Sequence, residues 1–450
     1  MTGFASLVAG FGAAVDLPGG ARRRYVNMDH AASTPPFLSV LEHIAGLAPS
    51  YGNVHRGRGW SSQVSTRAYE EAREDVRRFV GAGARQLVVF TRNTTESINH
   101  IAARLPVRAG DVIISTVTEH HSNDLPWRRI APVVRAGIDA SGRVDEHQLL
   151  DLLTAHRGRI AALAVSAASN VTGAVNPVHQ WAAWAHSCGA PIVVDAAQLA
   201  PHRPLDVRDP DDAGHLDYVV FSAHKMYAPF GVGVLVAPRR VLEQGAPWQA
   251  GGGTVDIVDE QDVAWTSSPE RDEAGTPCVL GAVALAEAMH QMRRLGYDAM
   301  RAHEDRLAGQ LRRTLADIEG VRLYGPRDGD RLGVVAFNVA GVPHGLAAAV
   351  LADEFGIGTR SGCFCAHQYV KALLGIGPEE SRALARRIAA GDRRDVPGMV
   401  RASLGLCSVP EDVERLADGV RAIAEGRFAA GYELDPASGE YRFPTTAPVS

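Results

Sequence analysis

The sequence predicts an α/β fold: a mixed but mainly parallel sheet covered on both faces, followed by a smaller α+β C-terminal domain. Three observations predict it. Short apolar runs recur at 87–90, 112–114, 161–165, 192–194, 218–221 and 232–236, each apolar at odd and even positions alike, as a strand buried on both faces must be. Most of the stretches between them are long enough for crossover helices. The last two runs lie too close together for such a crossover, so they pair antiparallel within the sheet.

Beyond the sheet the pattern changes. From about 279 to 318 it is helical, with Leu285, Met289, Met292 and Leu295 spaced in threes and fours. Strands are expected at 321–324, at 334–339, just before Cys363 and at 401–404, with a helix near 346–355. Pro410-Glu411-Asp412 opens a final helix. The division expected is a large domain at 27–295 and a small domain at 296–428 that carries a cysteine loop. Residues 1–26 are expected to pack on the body, starting with a short helix. Residues 429–450, rich in Pro, Ser and Thr, are expected to form a loose tail.

Composition excludes several classes. A chain of 450 residues can build two packed domains. Its net charge of -5, with both signs interspersed, argues against a nucleic-acid surface. No apolar run reaches the length of a membrane span. No Lys or Arg precedes the apolar stretch at 1–15, so no secretory signal is expected. The five cysteines (Cys188, Cys278, Cys363, Cys365 and Cys407) are too few and too scattered for a disulfide framework, so a reducing cytoplasm is expected. Cys363 and Cys365 lack a second ligand pair at zinc spacing, so no metal is expected.

A set of polar residues falls at strand ends, where ligands of open α/β sheets bind. Asp195 ends the run 192–194 and can pair with a protonated ring nitrogen. Lys225, in Phe221-Ser222-Ala223-His224-Lys225, ends the next strand and can form an imine with an aldehyde. Thr94 and Thr95, at a helix start, can cup a phosphate. His120, after the run 112–114, can stack on a flat ring. Taken singly, Asp195 reads first as a turn or cap carboxylate, Lys225 as a surface lysine and His120 as a structural histidine, while Thr94 and Thr95 read equally well as plain helix caps. Asp195 and Lys225 on successive strands carry more weight together.

In this order the motifs resemble the class V aminotransferase fold family, and within it the group II (SufS-like) cysteine desulfurases and selenocysteine lyases. The segments are DHAAST (29–34), NVHRG (53–57), FTRNTTESIN (90–99), EHHSNDLPW (119–127), SNVTG (169–173), VDAAQ (194–198), FSAHK (221–225), EAGTP (273–277), TRSGCFCA (359–366) and RASL (401–404). The resemblance implies the type I fold of transferases that use pyridoxal 5'-phosphate (PLP). It implies that Lys225 carries PLP as a Schiff base, that Asp195 pairs with its ring nitrogen, that Gln198 lies near the ring hydroxyl and that His120 stacks on the ring. Thr94, Thr95, Ser222 and His224 are implied to hold the phosphate. Thr276 would be lent by a partner subunit, which implies a homodimer. Asn170 and Arg401 would contact substrate, with Arg360 and His55 at the entrance. Cys365 matches the family's catalytic cysteine.

The implied reaction converts L-cysteine to L-alanine and leaves the sulfur on Cys365 as a persulfide for an acceptor protein. Lys225 would move the α-proton, and Arg360 would favour the Cys365 thiolate. One departure is plain: Cys363-Phe364 stands where the family carries His-His, and the run Gly-Cys-Phe-Cys resembles sulfurase domains acting on molybdenum cofactor. Cys363 itself reads as a small apolar filler. A selenocysteine lyase, another carbon–sulfur β-lyase, an aminotransferase and a non-enzymatic scaffold are the alternatives on the same fold.

Overall fold

The structure, a computed structural model, describes residues 3–17 and 20–443. Seven strands build the large sheet: β1 Gln86–Thr91, β2 Val112–Thr116, β3 Val133–Ala136, β4 Ile160–Ser166, β5 Ile192–Asp195, β6 Tyr218–Ser222 and β7 Gly233–Pro238. Their order is β1-β7-β6-β5-β4-β2-β3. Strand β7 runs antiparallel to both its neighbours, and the other pairs are parallel. All six apolar runs form strands. The sequence pattern misses β3, whose residues Val133–Ala136 sit half-buried at the sheet edge with Arg135 interrupting the apolar run.

The two faces of the sheet explain why the runs are apolar at both parities. On one face Val88, Phe90, Leu163, Val165, Val194, Phe221 and Val234 join a core with helices α1 (Trp60–Phe79) and α3 (Val279–Leu295). On the other Leu87, Val89, Ile113, Ala162, Val193, Val220 and Leu235 pack with Trp127 and with α2 (Thr94–Arg104). Each such aliphatic side chain stabilises the fold by about 1.5–3 kcal/mol.

Gly296, at φ 79°, breaks the long helical stretch between α3 and α4 (Tyr297–Ala316). Beyond it, β8 Val321–Tyr324, β9 Val334–Val339, β10 Arg360–Gly362 and β11 Met399–Ser403 form an antiparallel sheet in the order β8-β9-β11-β10. Leu307, Leu311 and Leu315 of α4 pack on it, with α5 (His344–Phe355) and α6 (Pro410–Ala424) alongside. Two further helices, His367–Leu374 and Pro378–Ala389, went unpredicted. Val26 and Met28 also belong to this second core, and Val26–Asn27 pairs in parallel with Ile357–Gly358. The chain is therefore anchored in the core of this second sheet before it enters the large sheet.

Two expectations at the termini are corrected. The N-terminal stretch is not a helix beyond one 3₁₀ turn at Ala5–Leu7; a hairpin of Ala14–Asp16 with Arg22–Arg24 follows. Gly10 and Gly12, at φ 79° and 88°, turn the backbone out of the helical region. Residues 429–443, expected as loose tail, pack on α5. Ala429 N–H and the Tyr432 hydroxyl both donate to Glu354 Oε1, at 3.0 Å and 3.2 Å. Glu433–Leu434 pairs with Tyr441–Arg442 across a turn held by the Asp435 carboxylate. Residues 444–450 lie outside the described residues. Among the described residues no helix is long and apolar enough to cross a membrane.

Candidate active site

Strands β2, β4, β5 and β6 are parallel, and β1 shares their direction through β7, so the loops at their carboxyl ends gather at one edge of the sheet. There they enclose a cavity of about 330 Å³. Asp195 is the last residue of β5, and Lys225 closes the 3₁₀ turn Ala223–Lys225 that follows β6. Because β5 and β6 are neighbours, both side chains line this cavity.

Their electrostatics follow from burial. Desolvation pushes the Lys225 ammonium down to about 8, against the opposing pull of Asp195. Burial likewise raises Asp195, although an Ala197 N–H donated to its Oδ1 at 3.0 Å favours the carboxylate. His120 is driven down to about 3 by burial and by the Lys225 charge, so its imidazole is neutral. Its Nδ1 accepts the Ser122 N–H at 3.1 Å, which places the proton on Nε2. Gln198 commits its Nε2 to the Ala31 carbonyl at 2.7 Å.

One end of the cavity is the start of α2. Asn93 caps the helix by accepting the Glu96 N–H at 2.9 Å. The Thr94 N–H donates to Ser222 Oγ at 2.8 Å, the two hydroxyls lie 2.6 Å apart, and Thr95 Oγ1 lies 2.7 Å from Ser122 Oγ. Helix dipole, hydroxyls and the His224 ring converge here. Gly233 of β7 makes the approach possible: a Cβ there would lie 2.4 Å from the Asn93 carbonyl carbon. His224 is held near 4 by burial, so it offers a neutral ring.

The other end is built by the second sheet and the loop after β10. Past β10 the chain turns through Phe364 and Cys365, both left-handed at φ 51° and 55°. Each costs about 1–3 kcal/mol and persists only because neighbours hold it. Asn170 Nδ2 donates to the Phe364 carbonyl at 2.8 Å, and His121 N–H to the Cys365 carbonyl at 2.7 Å. Arg401 lies over the Phe364 ring, 5.1 Å from its centroid. Cys365 is exposed and lines the cavity, whereas Cys363 turns away and donates its thiol to the Pro397 carbonyl at 3.2 Å. Burial raises the Cys363 thiol to about 11.

Arg401 is buried, donating to Asp29 Oδ1 at 2.7 Å and to the Asn170 carbonyl at 3.0 Å. Its Nε has no hydrogen-bond partner among the described residues. Arg360 lies 3.7 Å from the same Asp29 carboxylate. Two guanidinium groups thus share one carboxylate, leaving one positive charge and one buried donor for an anionic ligand group.

Twelve of the fourteen candidate residues line this one cavity: Thr94, Thr95, His120, Asn170, Asp195, Gln198, Ser222, His224, Lys225, Arg360, Cys365 and Arg401. His55 and Thr276 do not. His55 is exposed and pairs with Glu70 at 2.9 Å, and Thr276 lines a separate cavity with Arg92 and Glu96. Sequence reasoning left three residues without a role: Asp29, Phe364 and Glu119. Glu119 is buried beneath the His120 loop, accepting hydrogen bonds from Thr116, Asn123 and Ser166 at 2.7, 2.7 and 2.6 Å. All three lie in motifs already singled out, which is the signal that could have found them.

The set fits PLP. It offers an amine for the aldehyde, a buried carboxylate for the ring nitrogen, a neutral flat imidazole for the ring face, and a helix start with hydroxyls for the phosphate. The Arg401 Nε awaits an acceptor.

Comparisons with known proteins identify the family. Residues 26–416 match the family model described as aminotransferase class-V. A protein of Halalkalibacterium halodurans named probable cysteine desulfurase is 34% identical over 412 residues, covering 89% of this chain and 93% of its own. The cysteine desulfurase of Dickeya dadantii is 35% identical over 406 residues, covering 88% and 91%. Among solved structures, the cysteine desulfurase from Thermococcus onnurineus NA1 superposes with a TM-score of 0.78 at 32% identity, covering 89% of this chain and 95% of that one. The Escherichia coli cysteine desulfurase CsdA gives 0.75 at 32% identity, covering 92% and 98%. The chain belongs to the class-V aminotransferase family, whose members are PLP enzymes of the type I fold.

Proposed function

We propose that this protein is a PLP-dependent cysteine desulfurase, converting L-cysteine to L-alanine and passing the sulfur through Cys365 to an acceptor protein. The observation that carries the reading is that an exposed thiol, Cys365, shares one small cavity with Lys225 and Arg401. Similarity to proteins named cysteine desulfurase over nine-tenths of the chain supports it.

The residues divide the work. Lys225, Asp195, Gln198 and His120 would hold the ring of PLP, and Thr94, Thr95, Ser222 and His224 its phosphate. When bound, the cofactor supplies an electron sink for the charge left at the substrate's α-carbon. Arg401 takes the substrate carboxylate with its unpartnered Nε, and Asn170 and Arg360 fix the substrate beside it. Lys225, held near 8, removes the α-proton as a neutral amine and returns one as ammonium. Cys365 attacks the substrate sulfur as thiolate. The new S–S bond leaves a persulfide on the enzyme as the substrate's carbon–sulfur bond breaks, and the three-carbon product becomes alanine after protonation.

Assembly and location belong to the same proposal. Thr276 does not line the Lys225 cavity of its own chain and would serve the phosphate of a partner subunit, in a homodimer with His55 at the entrance. Five free cysteines suit a reducing cytoplasm. The test is the amino-acid product: purified protein given PLP and L-cysteine forms alanine, one per sulfur released. Pyruvate with ammonia would make it a β-lyase instead.

A further inference from the structure

At the opposite edge of the large sheet, His186, His215 and Asp217 form a cluster that the chemistry above does not use. His186 lies in the last turn of the helix Val178–Ser187, which leads into β5, and Asp217 immediately precedes β6. The Nδ1 atoms of His186 and His215 each lie 2.7 Å from a backbone carbonyl oxygen, of Ala213 and Asp212 respectively. A carbonyl only accepts, so both Nδ1 atoms carry hydrogen and the Nε2 atoms of the neutral rings are lone-pair acceptors. Yet both Nε2 atoms face the Asp217 carboxylate, at 2.8 Å and 3.3 Å.

Acceptors facing an acceptor need a cation between them. Two protons would meet the need only as two imidazolium rings stacked 4.1 Å apart around a single carboxylate. One proton leaves the second ring mismatched. A divalent ion satisfies all three groups at once, and their ligand atoms lie within 4.8 Å of one another. Ring nitrogens pinned through Nδ1 to carbonyls are the outer-shell support that metal-binding histidines use. Asp217 Oδ2 is further fixed by the Ile192 N–H at 3.0 Å. The cluster opens onto a cavity of about 1070 Å³, in whose wall Arg85 and Arg239 are paired with Asp209, Asp211 and Glu243, and which Arg108 and Arg240 also line.

We propose that His186 Nε2, His215 Nε2 and the Asp217 carboxylate bind one late first-row divalent ion, zinc above all, with water completing the coordination. The stacked rings, 19° from parallel, fan apart on binding so that each lone pair meets the ion. The ion ties the starts of β5 and β6 together, the two strands whose far ends carry Asp195 and Lys225. Its role is to brace the sheet.

The test uses PLP-loaded protein freed of metal by a chelator and titrated with zinc, followed by calorimetry and thermal unfolding. A parallel titration of Cys365→Ser removes the reactive thiol as a ligand. One zinc bound per chain, a raised unfolding midpoint, and loss of both in His215→Ala and Asp217→Asn but not in Cys365→Ser is the expected result. Far-ultraviolet circular dichroism of the metal-free variants verifies that they fold, and either variant alone suffices. Absence of zinc binding, binding that survives both His215→Ala and Asp217→Asn, or binding lost only in Cys365→Ser would overturn the proposal.

Discussion

Asn170 Nδ2 donates to the carbonyl oxygen of Phe364 at 2.8 Å, so the loop after β4 of the large sheet holds the left-handed turn after β10 that presents Cys365. A side chain expected to touch substrate therefore also sets where the sulfur nucleophile stands. In Asn170→Ala the strained turn loses one of the hydrogen bonds that hold it. Misplacement by an ångström costs about 100-fold in rate. Single-turnover formation of persulfide on Cys365 is expected to slow by that order while PLP absorbance is retained.

Arg401 is the donor proposed for the substrate carboxylate. Lysine at this position keeps a charge but loses the planar fork, the Asp29 geometry and the free Nε. Losing a charge-assisted hydrogen bond costs about 1.5–3 kcal/mol, or about 10- to 100-fold. Arg401→Lys is expected to weaken cysteine binding by that factor in steady-state kinetics, with PLP content unchanged.

Glu119 gives a pH signature. Burial holds its carboxyl up at about 7, above the usual carboxylate range of about 4.3. The folded state binds this proton more tightly than the unfolded chain. Its contribution is therefore fully present below the unfolded value and is lost as pH rises through about 7. His120 and His224, held down at about 3 and 4, act in the opposite sense, but they are present in both proteins compared. In apo-protein, the unfolding free energy of wild type minus that of Glu119→Gln is expected to fall by about 3 kcal/mol from about pH 4.5 to 7.5. Chemical denaturation across that range measures it, and a flat difference would contradict the burial argument.

Lys225 can be tested almost without background. The chain has two lysines, Lys225 and Lys371, and Lys371 donates its ammonium to Ser381 Oγ at 2.6 Å. Borohydride reduction of PLP-loaded protein is expected to fix the cofactor on the peptide bearing Lys225 and leave Lys371 bare. In apo-protein, acylation of Lys225 is expected to reach half its maximum rate near pH 8, the value set by burial.

Strands buried on both faces were legible because Val88 and Val89, or Val193 and Val194, serve opposite cores and must both be apolar. Edge strand β3 was not, since an edge position tolerates Arg135. Asp195 and Lys225 were legible because neighbouring parallel strands place their ends side by side. The Asp29–Arg401 pair was not, because no local pattern links residues so far apart in the chain. The N-terminal hairpin was missed where Gly10 and Gly12 outweighed the apolar residues around them. The scarcity of lysine was present in the sequence and narrows the imine-forming candidates to Lys225 and Lys371 without any fold. His186, His215 and Asp217 have no motif spacing and meet only because β5 and β6 are adjacent.

The central claim is that sulfur leaves cysteine for Cys365. It is tested most directly by mixing PLP-loaded protein with one equivalent of L-cysteine, without reductant, and weighing the Cys365 peptide by mass spectrometry. The account predicts one added sulfur atom on Cys365, none on Cys363, and one alanine per chain. Alanine formed at full rate with Cys365 unmodified, or formed equally fast by Cys365→Ala, would contradict it.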